Sequence, residues 1–253
     1  MSGGFKRDRD GNRRPREEAP RGRFHDVFEG FRDELDEHYD RKERIVKVSR
    51  DVTAQSKKII FALQRVKQLN KPPPPHIQQD IASRTEEIHK LLASIAPDLQ
   101  AANRHRYAWS LRCLEELVEA LSMAHYLQHQ TLITPAQAQA GVPADIALTP
   151  ADYMYGVFDL FGEMMRFATV TTAQTGELVG AHGRNILGDI QELGCAFEML
   201  PDVPTKDYRN KMETMRQSVR KVEKLGYGLV VRGSERPKGW VPDMKDDAPE
   251  AEE

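Results

Sequence analysis

The chain is expected to be all-α, a bundle of about six or seven helices with no sheet. Three observations point there. Ile45, Val52, Ile59 and Val66 recur every seven residues, with Val48 and Leu63 beside them, which is the spacing of a helix packing surface. No segment shows convincing apolar alternation of period two, the mark of a half-buried strand. Helix start and stop residues fall between the periodic stretches, at Pro72–Pro75, Thr149-Pro150, Pro201 and Pro204. The periodic region spans residues 24–240 and reads as one domain with a tail at either end.

The first tail, residues 1–23, is rich in Gly, Arg and Pro. Eight basic residues (Lys6, Arg7, Arg9, Arg13, Arg14, Arg16, Arg21, Arg23) stand against four acids (Asp8, Asp10, Glu17, Glu18). With no apolar periodicity, disorder is expected. Such a cluster serves as an import signal, as a nucleic-acid arm or simply as a solubilising tail.

The first helix is expected over 24–69, opening with Phe28, Phe31 and Leu35 and continuing along the heptad stripe. A helix of about 45 residues runs roughly 65 Å at 1.5 Å per residue, longer than a small domain is wide. Part of its apolar stripe is therefore expected to meet another subunit. Basic residues from Arg41 to Lys67 crowd the same segment, either as a solvated face or as a wall along an RNA channel.

Pro72–Pro75 end that helix. A second helix follows over about 77–95, and a third over about 99–130 with Trp109, Leu114, Leu117, Val118 and Leu121. An Ala, Gly and Pro-rich loop covers 134–148. Thr149 followed by Pro150 is a cap and a first-turn proline, and Asp152 suits the helix dipole, so a fourth helix runs to about 174. Gly176, Gly180 and Gly183 mark a break before a fifth helix at 185–199. Thr205 can cap a sixth, reaching about 231. Residues 241–253 hold six acids and one lysine and form an acidic, disordered tail.

The net charge of −2 offers no chain-wide pull on nucleic acid. Two cysteines, Cys113 and Cys195, are too few for a disulfide framework. No secretory signal and no apolar run of bilayer length is visible, so a cytoplasmic and nuclear protein with no membrane contact is expected.

The chemistry-bearing feature is a set of four acids. Glu116 and Glu119 lie in LEELVEALSM (114–123), and Asp159 and Glu163 lie in GVFDLFGEMMR (156–166). Spacings of i,i+3 and i,i+4 put each pair on one helix face. Acids at such spacing ordinarily face water. Here Asp159 is flanked by Val157, Phe158, Leu160 and Phe161, and a carboxylate on an apolar surface requires compensation. If the two helices face each other, the four oxygen-donor side chains suit Mg²⁺, or Mn²⁺ as a substitute, over zinc.

Other chemistries fit less well. A ferritin-like di-iron site wants two Glu-x-x-His motifs, and only Glu86 with His89 supplies one. No phosphate-cradling glycine loop, dinucleotide fingerprint or nucleophile elbow is present. Arg104, His105, Arg106, Tyr107 and Trp109 form a basic-aromatic run that could stack and grip a single strand; the alternative is a helix turn with Trp109 in the core.

On ERIVKVSRDVTAQSKKIIFALQRV (43–66), LEELVEA (114–120), TPADYMYGVFDLFGEMMR (149–166) and VRGSERPK (231–238), in that order, the chain resembles the translin superfamily over roughly residues 28–240. Within it the chain resembles the acid-bearing branch that associates with translin, because translin itself has non-acidic residues where this chain has Glu116, Glu119 and Asp159. The resemblance implies an all-α subunit that joins a translin-like partner in a hollow hetero-octameric barrel. It also implies a Mg²⁺-dependent endoribonuclease acting on single-stranded RNA, such as small-RNA passenger strands and tRNA-derived fragments. Glu116, Glu119, Asp159 and Glu163 would be the metal ligands and organisers of the attacking water. The alternative is a non-catalytic scaffold that stabilises a translin-like partner and modulates its nucleic-acid binding. The loop before Thr149 is shorter than in animal relatives, and the run at 104–109 does not align cleanly with translin's RNA-binding segment.

Overall fold

A computed structural model describes residues 22–181 and 183–232. The basic tail up to residue 21, the VRGSERPK stretch beyond Arg232 and the acidic tail at 241–253 lie outside the described residues. Among those described there are eight α-helices and two short 3-10 turns. Extended pairing is confined to a two-residue antiparallel ladder, β1 (Gly180–Ala181) with β2 (Arg184–Asn185). Gly183 near it takes φ +78°, a conformation that costs a side-chain-bearing residue energy.

Helix α1 runs His25–Leu63. Among the described residues, the chain divides into two compact units between Glu43 and Arg44. In the first, Phe28, Phe31 and Leu35 are more than half exposed. In the second, Ile45, Val52, Ile59 and Leu63 are buried, as the heptad spacing requires. The helix stops at Leu63, not at residue 69; Val66 and Leu69 are still buried, in a non-helical turn that ends at Asn70 with φ 57°. Burial there comes from a chain reversal rather than from another helical turn.

Helix α2 (Pro75–Ile95) has its proline in the first turn, where the missing N–H costs nothing. It is tied to α1 through Gln55, which donates to Glu87 at 2.7 Å and accepts from Arg84 at 2.9 Å. The single helix expected over 99–130 is instead a 3-10 turn (Ala96–Leu99), α3 (Asn103–Arg106), a second 3-10 turn (Ala108–Leu111) and α4 (Cys113–His129). Ala101, at φ 54°, breaks the helical path. The break turns Arg104 inward, where its guanidinium donates to the Ala147 carbonyl at 3.1 Å and to the Asp152 carboxylate.

The Ala-rich loop before Thr149 contains a helix of its own, α5 (Pro135–Ala140), started by a Thr134/Gln137 capping box. Helix α6 (Pro150–Thr175) begins where the Thr-Pro signal places it: Thr149 accepts from the Asp152 N–H, and the Asp152 carboxylate accepts from the Thr149 N–H. Gly176 closes it in the left-handed region. Helices α7 (Ile186–Glu198) and α8 (Lys206–Arg232) complete the described bundle.

Helix α4 packs extensively on α6, and α6 on α8. Gly156 permits the first: a Cβ there would lie 2.6 Å from the Glu115 carbonyl oxygen and 2.6 Å from Val118 Cβ. Leu114, Leu117, Val118, Val157, Leu160 and Phe161 are all essentially inaccessible in and around this seam. A core this dense fixes the rotation of each helix, and so fixes where its polar residues point.

Candidate functional site

The α4–α6 seam puts the four acids of the sequence pattern into one electrostatic neighbourhood. Glu116 and Asp159 line the same cleft, of about 400 Å³, together with Ser49, Arg50, Thr53, Arg112, Cys113, Glu115 and Lys211. Glu119 is buried. Glu163 opens instead on a separate crevice of about 10 Å³ and accepts a hydrogen bond from Gln64 Nε2 at 2.9 Å.

Burial pushes the Glu119 carboxyl up to about 8, and the negative charges of Asp159, then Glu116, then Glu163 push the same way. Glu116 and Glu115 are also raised, chiefly by burial; Lys57 opposes the shift at Glu116, and Arg112 and Lys211 oppose it at Glu115. Burial is the main cause at all three, and repulsion from neighbouring carboxylates adds to it, so each of these acids favours its protonated form more than it would in water.

Sequence reasoning missed two members. Glu115 lines the cleft beside Glu116, and Lys211 reaches in from α8. Lys211 Nζ lies 2.7 Å from Asp159 Oδ2 and 3.9 Å from Glu115 Oε2, donates to the Tyr155 carbonyl at 3.4 Å, and sits 5.3 Å from the centre of the Tyr155 ring. Nothing in its sequence surroundings separates it from the other basic residues of α8.

Among the described residues, no three His, Cys, Asp or Glu side chains are gathered closely enough to hold a metal ion. The donor chemistry nonetheless fits a hard divalent cation: every candidate ligand is a carboxylate, and their repulsion is what such an ion relieves. Glu86 and His89 do not join the acids. Glu86 pairs with Lys90 at 2.7 Å on an exposed face, and His89 Nε2 lies 2.9 Å from the Gly141 carbonyl oxygen.

The basic-aromatic run is divided by the fold. Arg104 and Tyr107 are buried, whereas Trp109 is 80 % exposed and so is no core residue. The Arg112 guanidinium stands 5.9 Å from the Trp109 ring while also lining the acidic cleft. Cys113 is buried, and burial raises its thiol to about 11, so it is no nucleophile at neutral pH.

With the bundle and its acid-lined seam described, the chain can be placed: residues 40–233 match the Translin family, and the protein belongs to it. It is 29 % identical to mouse (Mus musculus) Translin-associated protein X over 86 % of this chain and 82 % of that one. It is 28 % identical to the Translin-associated protein X homolog of Schizosaccharomyces pombe, over 83 % of this chain and 89 % of the relative. The same fold occurs in the crystal structure of apo-NeC3PO (TM-score 0.61, 16 % identity, 80 % of this chain and 96 % of that one). It occurs also in that of AfC3PO (TM-score 0.60, 18 % identity, 83 % and 98 %). Among the described residues no helix is long and apolar enough to cross a membrane.

Proposed function

We propose that this chain is the metal-dependent endoribonuclease subunit of a hetero-oligomer with a translin-like partner, hydrolysing phosphodiester bonds of single-stranded RNA. The observation that carries the reading is the cleft lined by Glu116 of α4 and Asp159 of α6, with Glu119 buried one helical turn from Glu116 and under the charge of Asp159 and Glu163 across the α4–α6 seam. Perturbed acids next to a cleft are a mark of catalytic sites. Glu116, Glu119, Asp159 and Glu163 would hold Mg²⁺, or Mn²⁺ in its place. When bound, the ion supplies charge stabilisation at phosphate oxygens and a lowered pKa for water.

The chain's own residues do the rest. Lys211 holds the Asp159 carboxylate at the cleft wall, and Gln64 holds Glu163 from the other side. Without the ion, the Glu119 carboxyl, pushed up to about 8, holds a proton at neutral pH, and it would release that proton on becoming a ligand.

Several features support a partner. The names of the relatives speak of association with translin. Phe28, Phe31 and Leu35 are uncovered in the isolated chain, and long apolar stripes of this kind mark subunit contacts. The reading includes an octameric barrel, cytoplasmic and nuclear residence, and small-RNA passenger strands or tRNA-derived fragments as substrates.

A scaffold without catalysis is the competing reading. Lys211 and Gln64 favour it, because they already satisfy Asp159 and Glu163. Cleavage of labelled single-stranded RNA by the complex, in Mg²⁺ and in EDTA, wild type beside Asp159→Ala, separates the two. Mg²⁺-dependent cutting lost in the variant is the expected result. RNA binding without cutting by the wild-type complex would establish the scaffold instead.

A further inference from the structure

The cleft beside the acids is not lined by acids alone. Three cations from three parts of the chain enter it: Arg50 from α1, Arg112 from just before α4, and Lys211 from α8. They match in number the three carboxylates on the same wall, Glu115, Glu116 and Asp159. An all-acid cleft repels a polyanion, whereas one whose charges are balanced admits it. Its volume of about 400 Å³ lies within the span of small-ligand sites.

The three cations are not equally engaged. Lys211 is held by Asp159. Arg112 pairs with Asp207 at 2.8 Å and with Glu115 at 3.5 Å. Arg50 is exposed and has no hydrogen-bond or ion-pair partner among the described residues. A guanidinium at a cleft wall with all its donors free is a ready bidentate partner for a phosphate. Thr53 lines the same cleft with a hydroxyl that can also donate, while the Ser49 hydroxyl is hydrogen-bonded to Cys113.

We infer that Arg50, Arg112 and Lys211 form a subsite for one backbone phosphate of the RNA strand, with Arg50 as its primary contact. The inference rests on the proposed function and adds to it the residues that seat the strand beside the acids. Arg50 is a binding residue here, and the acids remain the site of chemistry.

The test measures single-stranded RNA affinity of the intact complex with its translin-like partner, in EDTA, across salt from about 50 to 200 mM. Each phosphate contact to a single strand contributes about 0.7 to the slope of log affinity against log salt. Arg50→Gln should lower the slope by about that amount and weaken cleavage in Mg²⁺, while Arg50→Lys keeps most of the slope. Lys90→Gln, which removes a charge outside the cleft, should leave it unchanged. An unchanged slope in Arg50→Gln, or an equal fall in Lys90→Gln, overturns the subsite even if the wild-type complex cuts RNA. Tight binding without any wild-type cleavage overturns the nuclease reading instead, and the slopes still decide the subsite. A wild-type complex that binds no RNA overturns both.

Discussion

Lys211 Nζ lies 2.7 Å from Asp159 Oδ2, so the cation closest to the acidic set comes from α8, 52 residues further along the chain. This one ammonium opposes the upward shift of Glu115, Glu116 and Glu119 together. Asp159 is the one acid that raises all three. The pair is therefore the electrostatic centre of the site, whether or not a metal joins it.

Replacing Lys211 with Met should destabilise the fold by about 1 kcal/mol, since the partner carboxylate is 39 % exposed and water screens the loss. At roughly 2–4 °C per kcal/mol for a chain of this size, the melting temperature should fall by a few degrees. The loss should be larger near pH 8 than near pH 5, because more of the neighbouring carboxyls are ionised there. Asp159→Asn combined with Lys211→Met should cost less than the sum of the two, as read by thermal melts. Strict additivity would mean that the pair does not interact.

Glu119 sets a pH dependence. Its carboxyl is raised from 4.5 to about 8 in the folded state, so between those values the native protein holds a proton that the unfolded chain releases. Stability from this group is therefore fully present below about pH 4.5 and declines as pH rises through about 8. Urea unfolding across that window should show the decline in the wild type and a flatter profile in Glu119→Gln, with the variant the more stable at the alkaline end. Mn²⁺ uptake at neutral pH should release protons, because a ligand carboxyl must ionise. Calorimetry in two buffers of different ionisation enthalpy measures the release, and binding with no proton release would remove Glu119 from the ligand set.

Gly156 tests the seam that brings the acids together. Alanine favours a helix over glycine by about 1 kcal/mol, yet here the added Cβ meets the Glu115 carbonyl oxygen and Val118 Cβ, each at 2.6 Å. Gly156→Ala should therefore destabilise by about 1–3 kcal/mol and weaken Mn²⁺ binding by forcing α6 off α4. Gly162→Ala on the same helix meets nothing within 4 Å and should stabilise instead, by up to about 1 kcal/mol. Equal effects at both glycines in chemical denaturation would show that the close approach at Gly156 does not govern the packing.

Much of the helical architecture was legible because its signals are local. The heptad positions Ile45, Val52 and Ile59 and the Thr149/Asp152 cap of α6 act over one to seven residues, and the structure keeps both; Pro72–Pro75 fall between α1 and α2, although α1 already ends at Leu63. The same holds for the pairing of acids along α4 and α6, since helical spacing alone puts Glu116 with Glu119 and Asp159 with Glu163. What misled was equally local. Residues 99–112 have helical composition, but the Arg104 ion pair with Asp152 lies 48 residues away in sequence and holds the chain in short turns. Trp109 was readable as core or as platform, and that break leaves it outside.

The sequence by itself determined most of the long helical segments, which faces of them are apolar and which acids share a face, because each of these depends on neighbours within two turns. Only the tertiary structure decided that α4 and α6 meet closely enough for Glu119 to feel Asp159 and Glu163. It alone brought Lys211 and Arg50, from helices distant in the chain, to the same cleft. Those juxtapositions follow from how buried surfaces interlock, and no residue's own neighbourhood records them.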